Sequence, residues 1–472
     1  MTASQPLVAR TAVARLGVHL KPHGKGPDPR VLLGLALRNN PRRAQLLVSK
    51  VLGKHVPTDP RVVHAAGLLL GALVADALAE RAARALPVDL LHGAVRGGAD
   101  DAAALRAAAL PGVAAEPVDA FVLGFAETAT ALGHCVAEAL GGADYLHSTR
   151  RPVAGVATAG AFVEEHSHHT GHLLLPSDSG LLACPRPLVL VDDELSTGRT
   201  AVNTITALHR TAPRERYVLA TLVDLREDPL AGLPDGVHVD VVALTRAHLN
   251  LPADLADRAT ALRAELAVAA SAAAAPTAGA PTAGAPSACA ATTGVAAASI
   301  ALPAGPPHAH VLLTDLGWPA GLPAGGRHGF TTAHHRRFAA ALPRLGTDLA
   351  RAADVRTGER TLVLGTEELM ATPLRLAVAL AEAGHDIRFS ATTRSPAVVV
   401  DEPDYALASG VVFPDHDDPA DGPGPRYAYN VARQWDHVLV VVDPPADTAA
   451  LRGGLLAALA PHARRITVVV TP

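Results

Sequence analysis

The chain has 472 residues, more than one typical domain, and this length predicts two domains. Hydrophobic residues make up 49% of the chain and aromatic residues 3%, so the predicted cores are aliphatic. The formal net charge of −4 gives no basic footprint for nucleic acid. The sequence shows no signal-peptide pattern, and its longest apolar run is broken at Gly71 and Asp76, so it predicts no membrane segment. We therefore expect a cytoplasmic protein with neither partner, and three widely separated cysteines fit a reducing compartment.

The first cation-rich segment runs from Asn40 to Pro57. One interpretation is an exposed basic helix and turn. The other is a hood over a site, in which Lys50, Lys54 and His55 face an anionic substrate. The run Val62–Ala83 predicts a helix that packs in the core.

The next segment reads as a strand, a turn and a helix. An apolar strand ends at Gly124, and a turn of small residues leads to the helix Ala131–Leu140. Such a turn presents backbone amides to an anion. The alternative is a tight turn in which Glu127 only interacts favourably with the dipole at the helix N-terminus. The following strand ends in Ser148-Thr149-Arg150-Arg151, where an arginine pair could either bind phosphate or lie in solvent.

A histidine-rich stretch follows at 164–172, with four histidines and two acids. Its composition suggests zinc, but its spacing matches no helical zinc motif. We therefore predict no metal held by protein ligands alone.

The most informative stretch is Leu188–Thr200. Four apolar residues predict a buried strand, and the amphipathic run Ala201–Arg210 predicts the helix that follows. Between them, Asp192-Asp193 can accept hydrogen bonds from a vicinal diol, and Ser196–Thr200 offers hydroxyls and amides to a phosphate. An Asp pair that only caps the helix explains neither the second acid nor the Thr-Gly-x-Thr pattern.

This pattern resembles the diphosphoribosyl-binding signature of type I phosphoribosyltransferases. The resemblance implies a mostly parallel sheet flanked by helices, with a hood. It implies that the ribose hydroxyls of phosphoribosyl pyrophosphate (PRPP) are held by Asp192 and Asp193, and the 5′-phosphate by Ser196, Thr197, Gly198, Arg199 and Thr200. It also implies a pyrophosphate-binding turn made of Gly124, Phe125, Ala126, Glu127 and Thr128.

The same resemblance assigns roles to the loops. Arg150, followed by Arg151, would contact pyrophosphate, and 164–172 corresponds to a flexible catalytic loop. In that loop Glu165, His166 and His168 are candidates for positioning or proton transfer. Mg²⁺ is expected as the cofactor, held through PRPP rather than by a protein metal site.

The strand Tyr217–Val223 ends in Asp224-Leu225-Arg226. By resemblance Arg226 would read the base or acceptor, together with Lys54 of the hood; a surface Asp–Arg pair is the alternative. A helix is predicted over 251–270. The Ala/Pro/Gly/Thr tract that follows, to about Pro307, carries no charge and predicts a disordered linker.

The C-terminal part begins with a predicted strand, His310–Leu316, and later contains Thr393-Arg394-Ser395-Pro396. It resembles the TRSP domain, which is named after that motif and follows a phosphoribosyltransferase domain of the same type. The resembled family is associated with tellurium-resistance and stress gene neighbourhoods and with a nucleoside-like metabolite.

The two halves also resemble each other. The pattern of Phe121–Glu127 and Ser148-Thr149-Arg150 returns as Leu362–Glu368 and Thr392-Thr393-Arg394, whereas Val438–Pro444 keeps one acid and no Thr-Gly-x-Thr turn. We hypothesise that the second domain is a degenerate duplicate of the first, which requires the same strand order in both. Glu368 and Arg394 would then bind a second anion or complete a site between the domains.

The sequence thus predicts an α/β protein with a phosphoribosyltransferase domain at 26–265, a linker at 266–307 and a TRSP-type α/β domain at 308–472. Its predicted function is to form or cleave an N-glycosidic bond between ribose 5-phosphate and a base-like small molecule, with PRPP and Mg²⁺. The alternative is a non-catalytic PRPP- or nucleotide-sensing protein, which could dispense with the histidine-rich loop. A homodimer is one assembly that the resemblance implies.

Overall fold

The computed structural model describes residues 11–40, 43–153, 155–162, 171–274, 308–416 and 424–472, which form two α/β halves. The helices of the first half are α1 (Ala12–Leu16), α2 (Pro29–Leu32), α3 (Pro60–Leu78), α4 (Val88–Val95), α5 (Ala99–Ala109), α6 (Thr130–Ala139), α7 (Gly180–Ala183), α8 (Arg199–Thr211) and α9 (Leu255–Ala274). Its strands are β1 (His19–Pro22), β2 (Leu33–Leu37), β3 (Gln45–Ser49), β4 (Phe121–Gly124), β5 (Asp144–His147), β6 (Gly160–Phe162), β7 (His172–Leu174), β8 (Leu188–Leu195), β9 (Arg216–Asp224) and β10 (His238–Asn250).

The main sheet of the first half has the strand order β1-β10-β9-β8-β4-β5 and is parallel except for β1. In its centre, Leu190 of β8 is paired with Leu123 of β4 and Leu219 of β9. The chain runs outward from β4 to β5 and returns on the other side of β4 to form β8. Ligands of such sheets bind at the carboxyl ends of the strands where this order reverses. The predicted parallel sheet is therefore confirmed, with β8 at its centre.

Helix α3 starts and ends at side-chain contacts that fix its length. Asp59 caps its N-terminus by accepting a 2.9 Å hydrogen bond from the Arg61 N–H, and Pro60 fills the first helical position. The predicted end at Ala83 is wrong, because the helix stops at Leu78. Beyond it the chain folds back so that the Asp76 carboxylate can accept hydrogen bonds from the backbone and guanidinium of Arg84, at 3.1 and 2.7 Å.

Helix α3 is long and apolar enough to cross a membrane, yet 83% of its most apolar window is buried within the structure, as in a core helix. Its packing against α6 depends on glycine. A Cβ atom at Gly71 would lie 2.5 Å from Ala139 Cβ and 2.9 Å from the Val136 carbonyl oxygen.

We expect Gly71→Ala to lower the free energy of unfolding by about 1–3 kcal/mol, because neither obstructing atom can rotate away. Denaturant unfolding followed by circular dichroism measures this effect. Gly453→Ala is the control, since a Cβ atom there meets nothing within 4 Å. Equal stability of the two variants would contradict the tight α3–α6 contact.

Where the structure describes the cation-rich segment, at residues 40 and 43–57, it forms no basic helix. Residues 33–37 and 45–49 pair as the antiparallel hairpin β2–β3, and the continuous apolar run Leu46-Leu47-Val48 suits a strand that is buried on both faces. This hairpin and the following segment to Thr58 are called the hood below.

The helices of the second half are α10 (Thr332–Ala352), α11 (Ala371–Glu382), α12 (Ala449–Leu451) and α13 (Ala457–Leu459). Its strands are β11 (Ala309–Leu312), β12 (Arg360–Gly365), β13 (Asp386–Ala391), β14 (Gly410–Pro414), β15 (Pro425–Tyr429), β16 (Trp435–Val442) and β17 (Ala463–Val470). The strand predicted over His310–Leu316 is shorter than expected. It ends at Leu312, opposite Val470 where its partner strand ends, and a 3₁₀ turn follows at Leu313–Leu316.

The second sheet is entirely parallel and has the order β13-β12-β16-β17-β11. Its strands β12, β13, β16 and β17 occupy the same relative places as β4, β5, β8 and β9. Each half also has an antiparallel hairpin between its second and third main strands, β6–β7 and β14–β15. The far edges differ, since the next strand is β10 in the first half and the N-terminal β11 in the second. The strand order that duplication requires is therefore observed.

The predicted linker, 266–307, lies largely outside the described residues. Helix α9 extends to Ala274 and so crosses the predicted linker start at residue 266. Residues 275–307 are not among those described.

Candidate active site

The centre of the candidate site is the turn that follows β8. The strand carries Asp192 and Asp193 at its carboxyl end, and the backbone N–H of Asp193 donates a 2.9 Å hydrogen bond to Asp192 Oδ1. Gly198 then adopts a φ of 76°, a left-handed conformation that favours glycine. This turn leads directly into α8, so the hydroxyls of Ser196 and Thr197 are exposed beside a helix N-terminus.

A second turn, Gly124–Thr128 between β4 and α6, lies against the first. A Cβ atom at Gly124 would lie 2.7 Å from Tyr145 Oη and 2.8 Å from the Ala129 carbonyl oxygen, so only glycine fits there. Thr128 Oγ1 donates a 2.9 Å hydrogen bond to Asp193 Oδ1. The structure therefore brings the two turns predicted to bind pyrophosphate and ribose into direct contact.

The hood contributes two cations to the acids of these turns. Lys54 is 1% exposed and its ammonium group pairs with Glu127. Arg43 pairs with Glu194, the residue after the Asp pair. Burial raises the pKa of Glu194, and the Arg43 guanidinium acts against that rise. Lys54 was among the predicted site residues, whereas Arg43 and Glu194 were not. The only sequence signals of these two residues are their places in the cation-rich segment and next to the Asp pair.

Lys50 and His55, the other hood residues considered, lie towards the second half. His55 is buried, its carbonyl oxygen accepts a 2.9 Å hydrogen bond from Asn430 Nδ2, and its ring lies 5.7 Å from that of Tyr429. Burial lowers the pKa of His55 to about 3, so the ring is neutral. Burial also lowers the pKa of Lys50, against the attraction of Asp404.

The loop after β5 is held at several points. Ser148 Oγ lies 2.9 Å from the Ala126 N–H donor and 2.7 Å from His172 Nδ1. Thr149 exchanges two backbone hydrogen bonds with Leu173 on β7, at 2.9 and 2.8 Å. Arg150 therefore follows a loop that is fixed both to the Gly124–Thr128 turn and to the base of the β6–β7 hairpin. The predicted loop residues Glu165, His166 and His168 lie outside the described residues.

Arg226 lies beside the phosphate turn. Its guanidinium makes a bidentate contact with Asp224, at 2.9 and 3.0 Å. Its Cδ atom would lie 3.6 Å from a Cβ atom at Gly198. A cavity of about 230 Å³ opens here and is lined by His23, Asp224, Arg226, Glu227, Asp228, Pro229, Arg246, Ala247 and His248.

Both residues named in the second half reach the first site. Glu368 accepts hydrogen bonds from Thr149 Oγ1 at 2.7 Å and from the Arg150 N–H at 2.9 Å. Burial alone would raise the pKa of Glu368, but the Arg327 guanidinium and these hydrogen bonds hold it at about 2. Arg394 pairs with Glu367, and its Nε atom lies 4.0 Å from Glu127.

The described residues contain no group of three or more His, Cys, Asp and Glu side chains arranged to hold a metal ion. The carboxylates of Asp192 and Asp193 are nevertheless the oxygen ligands that Mg²⁺ prefers. The residues present therefore fit a Mg²⁺ ion that arrives with a pyrophosphate group.

A central parallel sheet whose strand order reverses at β4 and β8, with an Asp pair and a Thr-Gly-x-Thr turn at that point, defines the type I phosphoribosyltransferase class. The family models agree: residues 32–248 match the phosphoribosyl transferase family PRTase_2, and residues 324–459 match the TRSP domain C-terminal to it. Residues 32–248 therefore form a phosphoribosyltransferase domain and residues 324–459 a TRSP domain, and the chain is a phosphoribosyltransferase enzyme.

Several solved adenine phosphoribosyltransferases are similar to part of the chain. That from Rhodothermus marinus is 24% identical over 26% of this chain and 68% of its own, with a TM-score of 0.19. The Giardia lamblia enzyme is 17% identical over 34% and 83%, with a TM-score of 0.21, and the Trypanosoma brucei enzyme is 16% identical over 26% and 55%, also with 0.21. The chain thus spans about half the length of the Trypanosoma enzyme, and likeness at this level carries no argument about substrate. No curated protein matches the chain.

Proposed function

We propose that this chain transfers a phosphoribosyl group between PRPP and a base-like acceptor, forming or cleaving an N-glycosidic bond. The observation that carries the proposal is the hydrogen bond from Thr128 to Asp193. It joins the turn after β4 to the turn after β8, so the residues proposed to bind pyrophosphate lie next to those proposed to bind ribose. PRPP presents both groups in one molecule.

Each part of PRPP has a proposed partner. Asp192 and Asp193 accept hydrogen bonds from the ribose hydroxyls, Ser196–Thr200 binds the 5′-phosphate, and Gly124–Thr128 with Arg150 binds pyrophosphate. The reaction exchanges the bond between the anomeric carbon and the pyrophosphate oxygen for one to the acceptor, so the protein mainly positions the groups and stabilises charge. Mg²⁺, when bound, supplies positive charge to the pyrophosphate.

The proposed acceptor-binding residues are Lys54 and Arg226. Arg226 lines the cavity and its Cδ atom lies beside Gly198, so this side chain connects the proposed base site with the 5′-phosphate turn. Glu165, His166 and His168 remain the proposed residues for positioning or proton transfer. We further propose a cytoplasmic enzyme that acts on a nucleoside-like metabolite in a stress response.

The phosphate turn offers a direct test. Gly198→Ala places a side chain on a left-handed backbone and within 2.3 Å of Leu230 Cδ2, so it should distort the turn. We expect PRPP to bind with about tenfold or greater loss of affinity, which corresponds to roughly 1.4 kcal/mol, in isothermal titration with Mg²⁺. Gly236→Ala is the matched control, because Gly236 also has a positive φ of 75° but meets nothing within 4 Å.

The outcomes separate the candidate functions. Unaltered PRPP binding by Gly198→Ala would mean that the turn holds no phosphate. A wild-type chain that binds PRPP but does not release pyrophosphate with any base tested would favour the PRPP- or nucleotide-sensing alternative. Pyrophosphate release with a base establishes transfer.

A further inference from the structure

The two halves contact each other through equivalent segments. Thr58, two residues before α3, exchanges backbone hydrogen bonds of 3.0 and 2.8 Å with Phe389 on β13 of the second half. Phe330, two residues before α10, exchanges hydrogen bonds of 2.7 and 2.9 Å with Tyr145 on β5 of the first half. Each half therefore pairs one residue with the edge strand of the other half's sheet.

The strand register shows that these positions are equivalent. Gly124 at the end of β4 pairs with His147, and Gly365 at the end of β12 pairs with Ala391. Tyr145 and Phe389 each lie two residues before those partners. A contact in which each copy gives the other the same segment is characteristic of two-fold symmetry. The halves thus face each other as two subunits of a symmetric dimer do.

The loops beyond these strands follow the same relation. The Ser148 N–H donates to the Gly124 carbonyl at 2.9 Å, and the Thr392 N–H donates to the Gly365 carbonyl at 3.0 Å. Thr149 is bridged to Leu173 of the β6–β7 hairpin, as Thr393 is bridged to Tyr427 of β14–β15. Both halves therefore build the same loop at the carboxyl end of the second strand.

One acidic residue in each half contacts or approaches the other half. Glu127 and Glu368 each lie three residues after the terminal glycine of their strand. Glu127 pairs with Lys54 of its own half and lies 4.0 Å from Arg394 of the other. Glu368 lies 3.4 Å from Arg327 of its own half and accepts the hydrogen bonds of Thr149 and Arg150. The second half thus fixes the loop that carries Arg150.

The halves differ where the first binds phosphate. After β16 the chain reads Asp443-Pro444-Pro445, and neither proline has an N–H to donate. The next hydroxyl along the chain that could bind a phosphate is that of Thr448. It donates a hydrogen bond to the His416 carbonyl oxygen instead. The second sheet therefore lacks the phosphate-binding turn of the first.

We propose that the second half is a built-in partner subunit, in which Glu368 is a positioning residue for the pyrophosphate side of the first site. The inference rests on the proposed function. Because only the first half keeps the phosphate turn, the chain binds one PRPP molecule. Glu368 acts by holding the Thr149 hydroxyl and the Arg150 backbone N–H and not by touching the substrate.

The test compares Glu368→Gln with Glu382→Gln in the full chain. Glu382 also joins the halves, through its ion pair with Arg106, but it lies on the surface away from the site. In Glu368→Gln we expect about tenfold weaker binding of inorganic pyrophosphate with Mg²⁺, because a charge-assisted hydrogen bond is lost. Ribose 5-phosphate should bind as in the wild type, and deuterium exchange should rise only in the peptide that contains Arg150. Glu382→Gln should change none of these quantities.

The results distinguish this inference from the proposed function. Wild-type pyrophosphate affinity and exchange in Glu368→Gln would overturn the positioning role, while PRPP binding by the wild type would leave the function standing. Two PRPP molecules per chain in the titration would overturn the single-site assignment. A wild type that binds no PRPP would overturn both. Equal losses for pyrophosphate and ribose 5-phosphate would indicate a general structural role and contradict the proposal.

Discussion

PRPP binding should be lost in the variant Asp192→Asn/Asp193→Asn. Hydrogen bonds to a charged acceptor contribute about 1.5–3 kcal/mol each, so removal of both charges should weaken binding by roughly 10²- to 10⁴-fold. Asparagine preserves the size of both side chains and the capping of the backbone. The loss should therefore occur without unfolding.

Isothermal titration with PRPP and Mg²⁺ measures this effect, and thermal melting checks the fold. Asp254→Asn/Asp257→Asn is the control, since both residues are exposed acids on or beside α9. Thr128→Val separates the two roles of Asp193. It keeps the ribose ligand but removes the hydrogen bond between the turns, and it should weaken binding less than the double variant. Undiminished PRPP binding by the Asp192→Asn/Asp193→Asn protein would show that the site has been placed wrongly.

Acid should unfold this protein at a higher pH than its carboxylates alone would predict. Burial lowers the pKa of several histidines, among them His55 to about 3 and His64, His147, His335 and His437 to about 4. Their neutral forms are favoured in the folded chain, whereas the unfolded chain binds protons near pH 6.5. Stability is therefore fully present above about pH 6.5 and is lost as the pH falls towards 4, by about 1.4 kcal/mol per pH unit for each histidine.

These histidines act in the same direction, so together they make the stability fall more steeply than any one of them would. Melting temperatures between pH 8 and 4 should stay level at first and then fall steeply below about pH 6.5. His437→Gln should make that fall shallower, because His437 is fully buried and bonded only to Thr467 Oγ1 in the described contacts. His238→Gln, at an exposed position, should not. A melting temperature that is unchanged from pH 7 to pH 5 would contradict this account.

The sequence predicted the parts of the site that depend on consecutive residues. The Asp192-Asp193 turn and the Gly124–Thr128 turn each combine a buried strand with a helix start, and local patterns of this kind are visible without the fold. The Arg43–Glu194 pair could not be predicted, because it joins residues that only the hood packing brings together. For the same reason the sequence named Glu368 and Arg394 with two alternative roles, a second anion site or a site between the domains, and could not choose between them.

Element ends were the least predictable feature, because distant contacts set them. Helix α3 stops where Asp76 binds Arg84, and β11 stops where β17 offers no further partner. The shared strand order of the halves was predictable from the repeated Gly-x-x-Glu pattern at Glu127 and Glu368. The exchange of Thr58 and Phe330 was not, since neither residue carries a chemical signal of its own.

The exchanged segments also explain how this protein hides two of its sheet edges. β5 and β13 are outermost strands, and an outermost strand offers unpaired backbone groups to which other chains can add. Phe330 covers the first and Thr58 covers the second. Either half produced alone would therefore expose an open sheet edge. Such a half is expected to aggregate rather than to form a smaller working enzyme.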